Sequence, residues 1–307
     1  MLVLVNPNAC QGKAVKKWEG IKKLVDKKAV QSEYVKLNGK KSADIIANYI
    51  NKGETEFVAA GGDGTVNNML NDIVVSSNGH LKDMKLGAIG LGSSNDFHKP
   101  FDESEKVNGV YCKIDFSKIR LQDVCKITYE EESGIKVSKC FLLNSGIGLT
   151  ADANMLFNNP DKILAYLKKK NTGIAIIYAA LKTVLTYRNK KVRITTGNVT
   201  KSVNLTNIGI VKNPNFSGNF CYDSEYKPDS GKYNVHYCEN MTLPGILLTL
   251  YRLSKRKFSG YPNTVSYETD HIIIESDNKF AVEFDGEVIY TKKVSYSVLP
   301  VKIKICV

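Results

Sequence analysis

The densest chemistry in the sequence is the run Gly61-Gly62-Asp63-Gly64-Thr65, which closes an apolar segment and opens a helical one. Glycines lack the Cβ that blocks close approach, so main-chain amides in such a run can face phosphate oxygens. The helix that follows adds its positive dipole end to the same anion site. A carboxylate inside that loop, Asp63, would repel phosphate unless a cation lay between them. Mg²⁺ held by one or two carboxylates, phosphate and water answers the problem. Two other loops share the unusual composition: Asn6-Pro7-Asn8-Ala9-Cys10-Gln11-Gly12-Lys13 and Gly90-Leu91-Gly92-Ser93-Ser94-Asn95-Asp96-Phe97. The latter supplies Asp96 as a second carboxylate. Alone, a Gly-Gly-Asp-Gly run is as well read as a tight turn; three such loops at matching positions favour the anion site.

Those positions are set by the elements around them. Leu2–Val5, Glu33–Leu37, Glu56–Ala60 and Lys85–Gly90 read as strands. Between them, Ala14, Trp18, Ile21 and Val25, then Ala43–Ile50, then Val66, Met69, Leu70 and Ile73 fall at helical spacing. This alternation predicts a parallel sheet flanked by helices, with all three loops at strand carboxyl ends, where open sheets bind ligands. Beyond residue 115 the runs become strand-like: Val124–Tyr129, Val137–Leu143, Lys191–Thr196, Val203–Val211, Tyr233–Tyr237, His271–Ile274 and Phe280–Phe284. Helical stretches at Asp161–Tyr187 and Leu243–Lys255 interrupt them. The expectation is an α/β nucleotide-binding domain over 1–115, a β-sandwich substrate domain with helical insertions over 116–294, and a return of 295–307 to the first domain.

Composition narrows the partners. The 307 residues carry a net charge of +12, which favours anionic surfaces or phosphorylated substrates. No nucleic-acid recognition motif accompanies that charge, so a nucleic-acid partner is not expected. The seven cysteines are scattered without a Cys-x-x-Cys pair, which speaks against a disulfide framework or zinc site and for a reducing compartment. Leu2–Val5 is too short for a secretory apolar region, and Gly173–Leu181 is about half of the roughly 20 residues a bilayer span needs. A cytoplasmic protein, peripheral at the inner membrane face, is the expectation; a homodimer is left open.

The three loops together resemble the diacylglycerol kinase catalytic-domain family, which includes bacterial lipid kinases and sphingosine and ceramide kinases. Asn6-Pro7-Asn8-Ala9, with Cys10 in a glycine position, matches the family's opening. Gly61–Thr65 through Asn67 matches its Gly-Gly-Asp-Gly-Thr-x-Asn, and Gly92–Phe97 its third element. Phe141–Asn144 with Gly146 and Gly148, the apolar helix Ile177–Tyr187, and Phe284-Asp285-Gly286-Glu287 follow in the family's order. The resemblance implies an NAD-kinase-like fold and ATP-dependent phosphorylation of a lipid hydroxyl, diacylglycerol or a related lipid alcohol. It places ATP phosphates on Gly61, Gly62, Asp63, Gly64 and Thr65. Asn6, Pro7, Asn8, Ala9, Cys10, Asn67, Ser93, Asn95 and Glu287 complete the nucleotide site. Asp63 and Asp96 would hold Mg²⁺, and Asp285 would be the general base.

This sequence departs from the family at Cys10, at Asn68 in place of Glu, and at Leu91 in place of Pro. Ser230, in Lys227-Pro228-Asp229-Ser230-Gly231-Lys232, replaces a carboxylate where some members bind a second, structural metal. Asp285-Gly286 also reads as a plain hairpin turn. Two other functions compete: an NAD kinase, which shares Gly-Gly-Asp-Gly-Thr, and a non-catalytic nucleotide- or lipid-binding regulator. The apolar Thr172–Leu185 with basic flanks Lys168–Lys170, Lys182, Arg188, Lys190, Lys191 and Arg193 fits equally a core helix or a membrane-resting one.

Overall fold

The computed structural model describes residues 1–28, 33–36, 41–100, 106–217 and 219–307. The first half runs β1 (Leu2–Val5), α1 (Lys13–Lys28), β2 (Glu33–Lys36), α2 (Ser42–Asn51), β3 (Glu56–Gly61), α3 (Asp63–Ser76) and β4 (Lys85–Gly90). Strands β1, β3 and β4 are buried almost throughout, as parallel strands covered on both faces must be. They pair in parallel in the order β2-β1-β3-β4. Alternation along β1 sends Val3 and Val5 against Ala14, Trp18, Ile21 and Val25 of α1. It sends Leu2 and Leu4 against Val66, Met69, Leu70 and Ile73 of α3 on the other face. The predicted alternation is therefore present; Leu37 of the predicted second strand lies outside the described residues.

The second half runs β5 (Lys106–Val107), β6 (Val110–Lys113), β7 (Ile119–Glu130), β8 (Lys136–Phe141), β9 (Asn144–Gly148), α4 (Leu149–Asn158), α5 (Lys162–Lys170) and α6 (Thr172–Thr186). It continues through β10 (Lys190–Thr196), β11 (Val199–Val211), β12 (Asn215–Phe216), β13 (Phe220–Cys221), β14 (Tyr233–Glu239), α7 (Leu243–Ser254), β15 (Thr264–Thr269), β16 (His271–Phe284) and β17 (Glu287–Cys306). Where the sequence predicts a β-sandwich domain, these strands, apart from the separate β12–β13 pair, hydrogen-bond edge to edge with the first half in one 15-stranded sheet. The sheet folds over its own core. Tyr233 on β14 donates its hydroxyl to the Tyr296 carbonyl on β17 at 3.2 Å, and both side chains lie in the same buried cluster.

Strand β17 joins the halves. Its first part, Glu287–Ser297, pairs with β16, and from Val294 to Cys306 it pairs with β7; its end, Lys304–Ile305, also lies parallel to Lys85–Leu86 of β4. His271–Ile274 and Phe280–Phe284, predicted as two strands, are one strand with an irregularity between Glu275 and Phe280. The predicted helical stretch Asp161–Tyr187 is two helices. Asp161 accepts the Leu164 amide at 2.7 Å to cap α5, and Asn171 accepts the Ile174 amide at 3.2 Å to cap α6. Helix α4 escapes the pattern reading because only Leu149 and Ala151 of it are fully buried. Among the described residues no helix is long and apolar enough to cross a membrane.

Tyr233→Phe should cost about 1 kcal/mol of unfolding free energy, because it leaves the Tyr296 carbonyl short of a donor in a buried setting. Denaturant titration monitored by circular dichroism measures it; an unchanged midpoint would show that the closure adds nothing.

Candidate active site

The glycine run is the turn from β3 into α3. Gly62 caps the helix in extended conformation, and its carbonyl accepts the amides of Thr65 and Val66 at 2.9 and 3.2 Å. Helix geometry leaves the amides of the first turn without intrahelical acceptors, so this end is an anion site by construction. The third loop crosses the run at van der Waals distance: a Cβ on Gly92 would stand 2.5 Å from the Gly62 Cα. Only glycine admits that crossing. The first loop joins through Asn6, whose Nδ2 donates to Thr65 Oγ1 at 3.0 Å, and through Cys10 Sγ, 3.6 Å from Ser93 Oγ. Cys10 has φ +50, so the family's glycine at that position corresponds to a left-handed backbone that this chain keeps with a bulkier residue.

The two predicted metal carboxylates meet at the head of this assembly. Asp63 accepts the backbone amides of Asp96 and Phe97, both at 3.1 Å. Asp96 is buried, accepts Ser94 Oγ at 2.6 Å and pairs with Lys99. Burial, then the charge of Asp96, push the Asp63 carboxyl up to about 6. A cation would relieve both causes, so the donor set fits Mg²⁺. Among the described residues no group of three or more acidic, Cys or His side chains forms a metal site, so phosphate and water would have to complete the shell. Lys113, buried beneath the third loop, donates to the Phe97 carbonyl at 3.3 Å and steadies it.

Asp285 reaches this wall from the other half. Asp285 and Gly286 form a two-residue hairpin turn with φ +44 and +93, joining Phe284 to Glu287. The tip rests on the glycine run: a Cβ on Gly64 would stand 3.8 Å from the Asp285 carbonyl. Its carboxylate accepts the amides of Leu142 (2.8 Å), Leu143 (3.2 Å) and Asn144 (3.0 Å), and Asn67 Nδ2 at 3.2 Å. Four donors fill the roughly four acceptor positions of a carboxylate. The hairpin turn and the buried carboxylate are thus one feature, and the hydrogen bonds of Asp285 tie the two halves together.

Between the halves lies a cavity of about 150 Å³. Asp63, Ser94 and Asp96 line one wall; Asn144, Glu283 and Asp285 line the facing one. Glu283 accepts one long hydrogen bond, from the Gly286 amide at 3.4 Å. Burial, followed by the charge of Asp285, pushes its carboxyl up to about 8. Three predicted nucleotide residues are placed otherwise. Asn67 is buried on the inner face of α3 and serves Asp285 and the Cys140 carbonyl. Asn95 folds its own loop, accepting the Gly92 amide and donating to the Gly90 and Gly92 carbonyls. Glu287 begins β17 near Tyr129, whose phenol is pushed up by burial, Glu131 and Glu287, and it does not line the cavity.

Glu283 gives a pH signature in the ligand-free protein. Its folded-state pKa lies above the unfolded value, so the stability tied to its proton is complete at low pH and is lost as pH rises through about 8. Asp63 and Asp285, at about 6, titrate lower; Lys113, pushed down to about 7 by burial, adds an opposite slope. Between pH 6.5 and 9, wild type should lose roughly 2–3 kcal/mol relative to Glu283→Gln. Parallel unfolding curves for the two proteins across that range would refute the assignment.

Comparison with known proteins follows the same lines. Residues 1–127 match the model of the diacylglycerol kinase catalytic domain. A protein named putative lipid kinase from Staphylococcus carnosus (strain TM300) is 24% identical over 253 residues, covering 81% of this chain and 76% of that one. A like-named protein of Staphylococcus epidermidis (strain ATCC 12228) is 23% identical over 264 residues, covering 84% and 78%. The crystal structure of a putative diacylglycerol kinase from Bacillus anthracis str. Sterne superposes with a TM-score of 0.73 at 20% identity, covering 99% of this chain and 94% of that one. The resemblance carried by the three loops therefore holds: over residues 1–127 the chain matches the diacylglycerol kinase catalytic-domain family, and over most of its length it is similar to proteins named putative lipid kinases and shares the fold of a protein named a putative diacylglycerol kinase.

Proposed function

We propose that the chain is an ATP-dependent lipid kinase, transferring the γ-phosphate of ATP to the hydroxyl of diacylglycerol or a related lipid alcohol. One observation carries the reading: a single cleft has Asp63, from the helix-terminal glycine run, and Asp96 on one wall and Glu283 beside Asp285 on the other. In this scheme the first-turn amides of Asp63 and Gly64 bind phosphate oxygens, with Asn6, Cys10 and Ser93 at the edge of the nucleotide site. Asp63 and Asp96 would hold Mg²⁺, which would supply charge neutralisation to the phosphates. Phosphoryl transfer asks mainly for position and charge neutralisation, and those backbone amides supply much of both.

The proton acceptor in this scheme is Glu283. Asp285 has its lone pairs engaged by four donors, whereas the Glu283 carboxyl lines the cavity with a single long hydrogen bond; burial and Asp285 push its pKa up to about 8, so it is a strong base once ionised. Asp285 is the positioning residue. The acceptor's tail has a route as well: Thr150, Asn207, Phe216 and Tyr222 line both the polar cavity and an apolar crevice under α7, which continues past Ile246, Leu250 and Leu253.

The same surface supports a transient anionic membrane as partner, met from the cytoplasmic side. Ile174, Ile177, Leu181 and Leu185 of α6 and Leu247, Leu248 and Tyr251 of α7 are exposed apolar side chains on two helices that pack together. Lys169, Lys170, Lys255, Arg256 and Lys257 stand exposed at the ends of α5 and α7. Each such basic residue near an anionic surface contributes about 1 kcal/mol.

Incubation with ATP, Mg²⁺ and a total lipid extract, read by mass spectrometry, should yield a new lipid phosphate monoester, while NAD in a parallel reaction stays unphosphorylated. Phosphorylated NAD, or no transfer to any lipid, would overturn the reading. Asp63→Ala should abolish product. Glu283→Gln should lower kcat roughly 10²- to 10⁴-fold without loss of thermal stability, whereas Asp285→Asn should lose stability as well as rate. In vesicle co-sedimentation, Leu181→Glu/Leu247→Glu should release the protein from anionic vesicles yet leave turnover of a short-chain soluble diacylglycerol intact; undiminished sedimentation would remove the membrane face.

A further inference from the structure

Outside the cleft lies a second charged cluster with no assigned role. Lys212, just past the end of β11, and Asp123 on β7 form an ion pair at 2.6 Å with both side chains 1% exposed. The Lys212 ammonium donates to three oxygens of different kinds: Asp123 Oδ2, Ser230 Oγ at 3.1 Å and the Lys232 carbonyl at 2.6 Å. The loop Lys227–Lys232 closes around them. Gly231 N donates to Asp123 Oδ2 at 2.7 Å, and Asp123 N donates to the Pro228 carbonyl at 2.7 Å. Carboxylate, hydroxyl and main-chain carbonyl converging on one point is the oxygen set that a hard divalent cation takes. Here the point is filled by an ammonium, and Ser230 offers no charge to a metal. The second metal that this loop holds in some relatives does not fit.

The clamp is wired to the cleft. Lys212 N and Asn213 N both donate to the Leu143 carbonyl, at 2.8 and 2.9 Å, and Leu143 N donates to Asp285. Asn213 Nδ2 donates to the Asp96 carbonyl at 2.8 Å. One residue therefore separates the buried cation from the segment that ties down both Asp96 and Asp285. We propose that Lys212 is a resident cation of this chain: its ammonium stands where a divalent ion would bridge Asp123 to the 227–232 loop. It makes that bridge independent of metal and acts as a positioning residue for the cleft. The positioning half rests on the kinase reading above; the metal-independence half does not.

Thermal melting separates the two. Any shift of the wild-type melting point between EDTA and millimolar Ca²⁺, nucleotide being absent, should persist unchanged in Asp123→Asn, because it belongs to the cleft carboxylates and not to this clamp. Lys212→Met removes the nearer of two cations from buried Asp123, leaving Lys302 at 3.9 Å, and should melt on the order of 10 °C lower in EDTA. Ca²⁺ should recover part of that loss, and the recovery should vanish in Lys212→Met/Asp123→Asn. If Lys212→Met does not fold, the double variant is still expected to fold, and its failure would overturn the proposal. So would a wild-type melting point raised by Ca²⁺ and insensitive to it after Asp123→Asn, or an undisturbed Lys212→Met in EDTA. For positioning, kcat of Lys212→Met should fall with the ATP KM unchanged and recover when Ca²⁺ is added beside Mg²⁺. A stability effect with unchanged kcat would remove the positioning claim alone.

Discussion

The arrangement of the cleft depends on how one buried carboxylate is solvated. Asp285 lies at the tip of a hairpin, out of water, and its charge is tolerable there only because the Leu142–Asn144 amides and the Asn67 amide replace the lost hydration. Those donors come from both halves of the molecule. Asn67 belongs to α3, and one turn later Asn71 accepts the Cys140 amide at 2.8 Å and donates to the Cys140 carbonyl at 2.9 Å. The helix that presents the glycine loop is thereby fastened to the strand leading to the Asp285 donors. Burial still holds Asp285 above the ordinary carboxylate range, so the structure keeps residual electrostatic tension at its joint.

That tension is shared. Asp63, Asp96, Glu283 and Asp285 face one cavity in a chain whose net charge is +12, and charges on Asp285, Asp96 and Asp63 each help raise Glu283. A positive surface around a concentrated acidic cleft is an arrangement that a cation can discharge. Among the described residues, Lys99 is the basic side chain that pairs with one of these four carboxylates.

What could be read from the sequence was what local chemistry determines. The three loops announce themselves because glycine, asparagine and a lone carboxylate after an apolar run have few other uses, and the strand and helix periods of the first half are strong. Glu283 was not legible for a simple reason. Between buried Val282 and Phe284 it takes the alternate position of a strand, which reads as an ordinary solvent-facing residue; here that face is a cavity wall. Asn67 was misplaced because its partner is 218 residues away, and no spacing rule sees that far. The same limit hid the Lys212–Asp123 pair, whose members sit in unremarkable strand contexts. The single continuous sheet was hidden too, since edge pairing of β17 with β4 is a property of the finished topology.

Strand β17 has a mechanical consequence. Twenty residues long, it belongs to the ladders of both halves, so no slack tether separates them. Any widening of the cleft must be absorbed within the ladder itself, and the one irregularity in its pairing with β7, between Val298 and Lys302, encloses Pro300, which has no amide to contribute. The ladder is least continuous in that stretch, so any relative displacement of the two cavity walls would concentrate there, like the bend of a leaf spring at its thinned section.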